Sequence, residues 1–175
     1  MTVKQLDKIV KQPYYRGMSS TETSHDDVVV PALLRAARGA YAASVRLELA
    51  ADGFEDLPRN GAFVIGGMAN HGATPSDLVR QLRISKQATS QLIDSLVLRG
   101  YLERETDPSD RRRLTLALTE RGVAAAAAVR RGVVAVDTNL ERAITAEQLA
   151  GMRAGLIALC DIAEMFEELA SSGVR

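Results

Sequence analysis

The hydrophobic period of this chain changes at Gly100, and that change narrows the fold more than any other feature. Before it, Thr89, Leu92, Ile93 and Leu96 recur at helical spacing; after it, Leu114, Leu116 and Leu118 alternate with Thr115, Ala117 and Thr119, the two-residue period of a strand. Two helix starts precede the switch. Thr74 with Asp77 forms a Thr-x-x-Asp capping box around Pro75, which predicts a short helix over 75–82. Ser85 then caps a second helix that runs to Arg99, and Gly100 ends it. Two short helices across a three-residue turn predict a helix-turn-helix. The stretch "YLERET", the turn signal Asp107-Pro108-Ser109-Asp110 and "RLTLALT" predict a β-hairpin directly after it.

Helical patterns flank this unit. Pro31 suits a first turn, and Val30, Leu33, Leu34, Ala37, Tyr41 and Val45 predict a helix to about residue 50. The stretch "DGFEDLPRNG" reads as a loop, and "AFVIGGMAN" as a helix despite Gly61, Gly66 and Gly67. Thr119 and Glu120 open a helix with five consecutive alanines, extending to about residue 140. Thr145 and Gln148 form a capping box for the last helix, with Ile144 and Leu149 as its hydrophobic staple. Its apolar stripe is Leu149, Met152, Leu156, Leu159, Cys160, Ala163 and Phe166, so Cys160 is expected to be buried and inert. The expected fold is mainly α: a winged helix-turn-helix over 57–122, a helical dimerisation region from 30–56 and 123–175, and an arm over 1–29, mobile or docked on a partner.

Composition sets the function classes. The chain has 175 residues, with 22 Lys+Arg against 22 Asp+Glu, so nucleic-acid affinity has to come from local clustering. Over 70–122 nine Lys/Arg stand against seven Asp/Glu, and over 123–175 five against seven, a weak polarity of the sign a DNA module needs. One cysteine and the lack of a signal peptide point to the cytoplasm. No apolar run is long enough for a membrane helix. His25 and His71 are far apart, and no nucleophile–base set, phosphate loop or metal motif is present. Neither an enzyme nor a cofactor or metal site is expected.

The second helix of the pair carries the candidate reading face. With Ala88 at the origin of a helical wheel, Thr89, Leu92, Ile93 and Leu96 form the packing stripe, while Gln87, Ser90, Gln91 and Asp94 lie opposite. Glutamine pairs bidentately with adenine and serine bonds either way, and the capped start at Ser85 and Lys86 offers amides to a phosphate. An ordinary solvated helix face has the same residues; the basic hairpin that follows tips the balance. There Arg111, Arg112 and Arg113 stand beside the turn, where cations reach phosphates or a narrow minor groove. Asp110 shares a strand face with Arg112 and can orient it, whereas Arg111 and Arg113 fall on the other face. Leu98 is assigned to packing under the hairpin. The expected DNA-binding set is therefore Ser85, Lys86, Gln87, Ala88, Ser90, Gln91, Asp110, Arg111, Arg112 and Arg113.

The segment 72–122 resembles the winged helix-turn-helix of the MarR family of bacterial transcription regulators. Asp110, Arg112, Leu118, Thr119, Glu120 and Gly122 match the family's wing signature, and Leu96, Gly100, Tyr101, Leu102, Glu103 and Arg104 match its Leu-x-x-x-Gly-Tyr-Leu-Glu-Arg pattern. The chain departs from it at Gln91 and Ser95, where members often carry Arg. The resemblance implies a homodimer interlocked through its first and last helices, with a recognition helix in the major groove and Arg112 in the minor groove. It implies double-stranded DNA as partner and no membrane. It also places a small-molecule effector site where the dimer-forming helices meet the winged unit, with Arg38, Tyr41, Phe63 and Met68 as candidates. The expected function is a dimeric, ligand-responsive repressor on a pseudo-palindromic operator. A protein-binding scaffold is the alternative, motivated by the neutral charge and by Asp94 on the reading face.

Overall fold

A computed structural model of the protein describes residues 29–71, 82, 84–106 and 114–172. Its elements are α1 (Val30–Ala51), α2 (Gly61–His71), α3 (Lys86–Leu98), β1 (Leu102–Thr106), β2 (Leu114–Leu118), α4 (Glu120–Ala143) and α5 (Ala146–Ser171). The arm, all but Leu82 of the helix expected over 75–82, and the wing tip with Asp110, Arg111, Arg112 and Arg113 lie outside the described residues. Two compact units are present, 1–39 and 40–175. In the first, the start of α1 is described, with Val29, Val30, Leu33 and Leu34 exposed.

In the second unit the core is formed by Leu49, Val64, Ile65, Leu92, Leu96, Tyr101, Leu102, Ala125, Ala128 and Val129. The run of alanines explains how it closes. Ala125, Ala126 and Ala128 are buried, and this small-residue face admits α2 closely: a Cβ on Gly66 would stand 3.2 Å from Val129 Cγ1. Three glycines in eleven residues make α2 a poor helix in isolation, so its helicity depends on burying Val64 and Ile65 against α4. Gly132 brings α4 against α1, where a Cβ would meet the Val45 Cα at 2.6 Å.

Two helix ends share one device. At the end of α1 the Phe54 N–H donates to Leu49 O (2.8 Å) and Gly53 N–H to Ala50 O (3.2 Å). At the end of α3 the Tyr101 N–H donates to Leu96 O (2.9 Å) and Gly100 N–H to Val97 O (3.0 Å). Both are Schellman motifs, with Gly53 (φ 77°) and Gly100 (φ 72°) in the left-handed region that a side chain disfavours. Each turn directs the next residue back onto its helix, so Phe54 and Tyr101 meet edge to face at 6.2 Å and 63°.

The hairpin is antiparallel, with Leu102 opposite Leu118, Arg104 opposite Leu116 and Thr106 opposite Leu114. Leu102 is buried and Leu118 packs against the core, so this facing pair anchors the base of the wing on the side that the leucine period requires. Leu98 does not take part: it is 88 % exposed. As the last residue of α3 it falls at the end of the solvent face, while Leu102 and Leu118 pack in the core beneath the hairpin.

No residue of α5 is buried, although both halves of its Thr145–Gln148 capping box form. Cys160, expected in a packed stripe, is exposed in the single chain for the same reason. No helix among the described residues is long and apolar enough to cross a membrane.

Candidate nucleic-acid interface

Ser85 caps α3, its Oγ accepting the Ala88 N–H at 3.2 Å, while Thr89 Oγ1 donates to Ser85 O at 2.9 Å. This fixes the rotation of the first turn. Leu92 and Leu96 face the core, which leaves Ser85, Lys86, Gln87, Ser90, Gln91 and Asp94 exposed along the other side, with Ala88 half-buried. The six expected residues of α3 therefore lie on or at the edge of one continuous polar surface.

One contact there escaped the sequence reading. Arg104 of β1 lies on the leucine face of the hairpin and donates to Asp94 Oδ1 at 2.6 Å. The carboxylate that would have repelled phosphate is balanced by a guanidinium, and the pair links the reading helix to the wing. Both side chains stay about half exposed, so the link contributes little to stability and its importance is geometric.

A larger network lies at the root of the wing. Asp56 Oδ1, in the loop after α1, accepts the Tyr101 hydroxyl at 2.6 Å and an Arg121 N–H at 2.7 Å. Arg99 donates to the Asp56 backbone carbonyl. The Arg121 guanidinium also stands 4.6 Å from the centroid of the Tyr101 ring, within cation–π range. The Tyr101 hydrogen bond, with the Arg121 and Arg99 charges behind it, holds the Asp56 carboxyl below the usual carboxylate range against an opposing effect of desolvation that is larger than either charge. Burial first, and Asp56 second, push the Tyr101 phenol up. Local sequence gave no warning of Asp56, because its partners Arg99, Tyr101 and Arg121 are 43, 45 and 65 residues away. The two Gly-aromatic pairs, Gly53-Phe54 and Gly100-Tyr101, were the available signal.

The wing roots are joined directly as well. Thr119 N–H donates to Tyr101 O (3.2 Å), Thr119 Oγ1 donates to Gly100 O (2.5 Å) and accepts the Gly122 N–H (3.0 Å). Gly122 is required by this crossing: a Cβ there would lie 2.1 Å from the Tyr101 carbonyl oxygen. The Leu-Thr-Glu-x-Gly ending thus encodes a helix cap and a close backbone approach in five residues.

Each candidate effector residue has its own surroundings. Tyr41 donates its hydroxyl to Asp137 Oδ1 at 2.6 Å, and that bond, with burial, pushes its pKa up to about 12. Met68 packs against the core, Phe63 is exposed, and Arg38 is exposed in the first unit. A shallow depression of about 440 Å³ on α4, lined by Ala127, Arg130, Arg131, Val134 and Ala135, contains none of the four. Among the described residues no three His, Cys, Asp or Glu side chains cluster as metal ligands would.

Residues 55–113 match the profile of the MarR family. Among solved structures, FabT of Streptococcus pneumoniae in complex with DNA is similar at 23 % identity and a TM-score of 0.63, over 78 % of this chain and 96 % of FabT. MarR is similar at 20 % identity and a TM-score of 0.63, over 85 % and 99 % of the two chains. MepR of S. aureus bound to ethidium bromide is similar at 19 % identity and a TM-score of 0.51, over 79 % and 99 %. No curated protein sequence matches the chain. Residues 55–113, from the loop after α1 through β1, are therefore similar to the MarR family, and the chain has the fold of the solved FabT and MarR structures.

Proposed function

We propose that the protein is a homodimeric transcription regulator that binds double-stranded DNA, represses by occupying its operator, and releases it in response to a small ligand. The observation that carries the DNA reading is the rotation of α3. Its buried stripe leaves Gln87, Ser90 and Gln91 on the outward side next to a hairpin held to the same helix by Arg104 and Asp94. Glutamines and serines on an accessible helix face suit base edges in the major groove. Lys86 at the helix start suits a phosphate, as do Arg111 and Arg113 of the wing, while Arg112 suits the minor groove. FabT, whose fold this chain shares, was solved with DNA, which supports the same role. MepR was solved with a bound small molecule, which supports the effector, and the candidates remain Arg38, Tyr41, Phe63 and Met68.

Dimerism rests on α5. Its exposed Met152, Leu156, Leu159, Ile162, Met165 and Phe166 are more apolar surface than a lone soluble helix presents to water, and a second copy related by two-fold symmetry covers it. The helical region 30–56 with 123–175 is the proposed dimerisation region, and 57–122 the DNA-binding one. Two reading helices then require inverted half-sites about one helical turn apart. The scaffold reading loses one of its two supports, because Asp94 is paired with Arg104. Selection from a randomised duplex pool by the intact protein should enrich an inverted repeat with that spacing. A pool that enriches nothing after several rounds would overturn the reading.

A further inference from the structure

The wing is a two-stranded hairpin, and such a unit has little stability or fixed direction of its own. Its orientation has to come from its roots. Tyr101 precedes β1 and Arg121 follows β2, and both side chains end on the same oxygen, Asp56 Oδ1, at 2.6 and 2.7 Å. Arg99, at the end of α3, reaches the backbone carbonyl of the same residue. One loop position thus gathers the end of the reading helix and both roots of the wing.

That position is itself held firmly. Glu48 in the last turn of α1 and Asp52 just after it bind Arg131 of α4 at 2.9 and 2.5 Å, and Phe54 is fixed by the Schellman turn and its contact with Tyr101. The loop therefore enters Asp56 from a rigid support. The network is polar and partly exposed: the Arg121 and Asp56 side chains are 42 % and 41 % accessible. A partly exposed ion pair contributes little to stability, so energy alone is a weak reason for three segments to converge on it.

We infer that Asp56 is a positioning residue for DNA binding, setting the angle of the wing against the reading helix by holding Tyr101 and Arg121 on one carboxylate. The inference rests on the DNA reading above. Asp56 touches no DNA; it acts through the wing, and the consequences are specific. Asp56→Asn keeps the shape but loses the charge that Arg121 requires. The wing remains folded on Leu102 and Leu118 and tied to α3 and its closing turn by Arg104 and Thr119, while the contact that orients its two roots together is lost. Arg121→Gln removes the other half of the same contact and should reproduce the effect, and the double variant should be no worse than either single one.

The test is a double-mutant cycle on the full chain, using a duplex selected by the unaltered protein from a randomised pool. Asp56→Asn should weaken binding about tenfold with its thermal midpoint within about 3 °C of the unaltered protein, a shift of roughly 1 kcal/mol or less at this size. Arg112→Ala should also weaken binding about tenfold, the scale of a lost specific contact. Combined, the two should bind like Arg112→Ala alone, because a misdirected wing has nothing left to lose. Equal losses from Asp56→Asn in both backgrounds would overturn the role of Asp56 and leave the DNA reading intact. If Arg112→Ala binds like the unaltered protein, Arg112 makes no DNA contact for Asp56 to position and the inference falls with it. A pool that yields no duplex at all would sink the DNA reading itself.

Discussion

Gly122→Ala is expected to destabilise the protein by about 3 kcal/mol, the upper end for an overpacked site, seen as a fall of about 6–12 °C in thermal midpoint for a chain of this length. The added Cβ would stand 2.1 Å from the Tyr101 carbonyl oxygen and 3.1 Å from Leu118 Cδ2. The nearer atom belongs to the backbone, so no rotamer change relieves the clash. That same carbonyl accepts the Thr119 N–H, and Thr119 caps α4 through the Gly122 N–H. Any retreat of the helix therefore weakens its cap, and any retreat of Tyr101 disturbs the root of the wing. Thermal unfolding followed by circular dichroism checks this, and an unchanged midpoint would show that the two backbones do not cross so closely.

Leu159→Glu is expected to separate the dimer and lower DNA affinity at least a hundredfold while leaving the winged unit folded. Leu159 is exposed on α5, on the face that carries Met152, Leu156 and Phe166, so the single chain loses no buried contact. In the dimer the same carboxylate would be desolvated without a partner, a cost of several kcal/mol. Two linked reading helices bind with an avidity roughly 10²–10⁴ above that of one, and the variant forfeits it. Sedimentation should give the mass of one chain with helical content retained. A variant that stays dimeric would remove α5 from the interface.

Which features were legible in the sequence follows from how local their causes are. Ser85, Thr119 and the Thr145–Gln148 box act over three residues, and each forms as its spacing requires. The leucine alternation fixed the hairpin, and Leu92 with Leu96 fixed the side of α3 that faces outward. Contacts between distant segments left no such trace. Asp56 looked like one polar residue of a turn-rich loop, because the chain must fold before Tyr101 and Arg121 arrive beside it. Asp94 was read as an unbalanced charge because its partner Arg104 lies across the turn into the hairpin. Leu98 and Cys160 were misplaced for opposite reasons. Leu98 has the apolar character of a core residue at a position that faces solvent, and the stripe around Cys160 has core periodicity with nothing of its own chain over it.

The central claim is that the polar face of α3 and the wing together form a DNA-binding surface on a protein with no net charge. Affinity for the selected duplex, measured by titration over a series of salt concentrations, tests it most directly. A surface that places Lys86 and the wing arginines on phosphates in each of two subunits should release several counterions, so log affinity should fall linearly against log salt with a slope of roughly −4 to −6. Absence of binding at the lowest salt, or an affinity indifferent to salt, would contradict it.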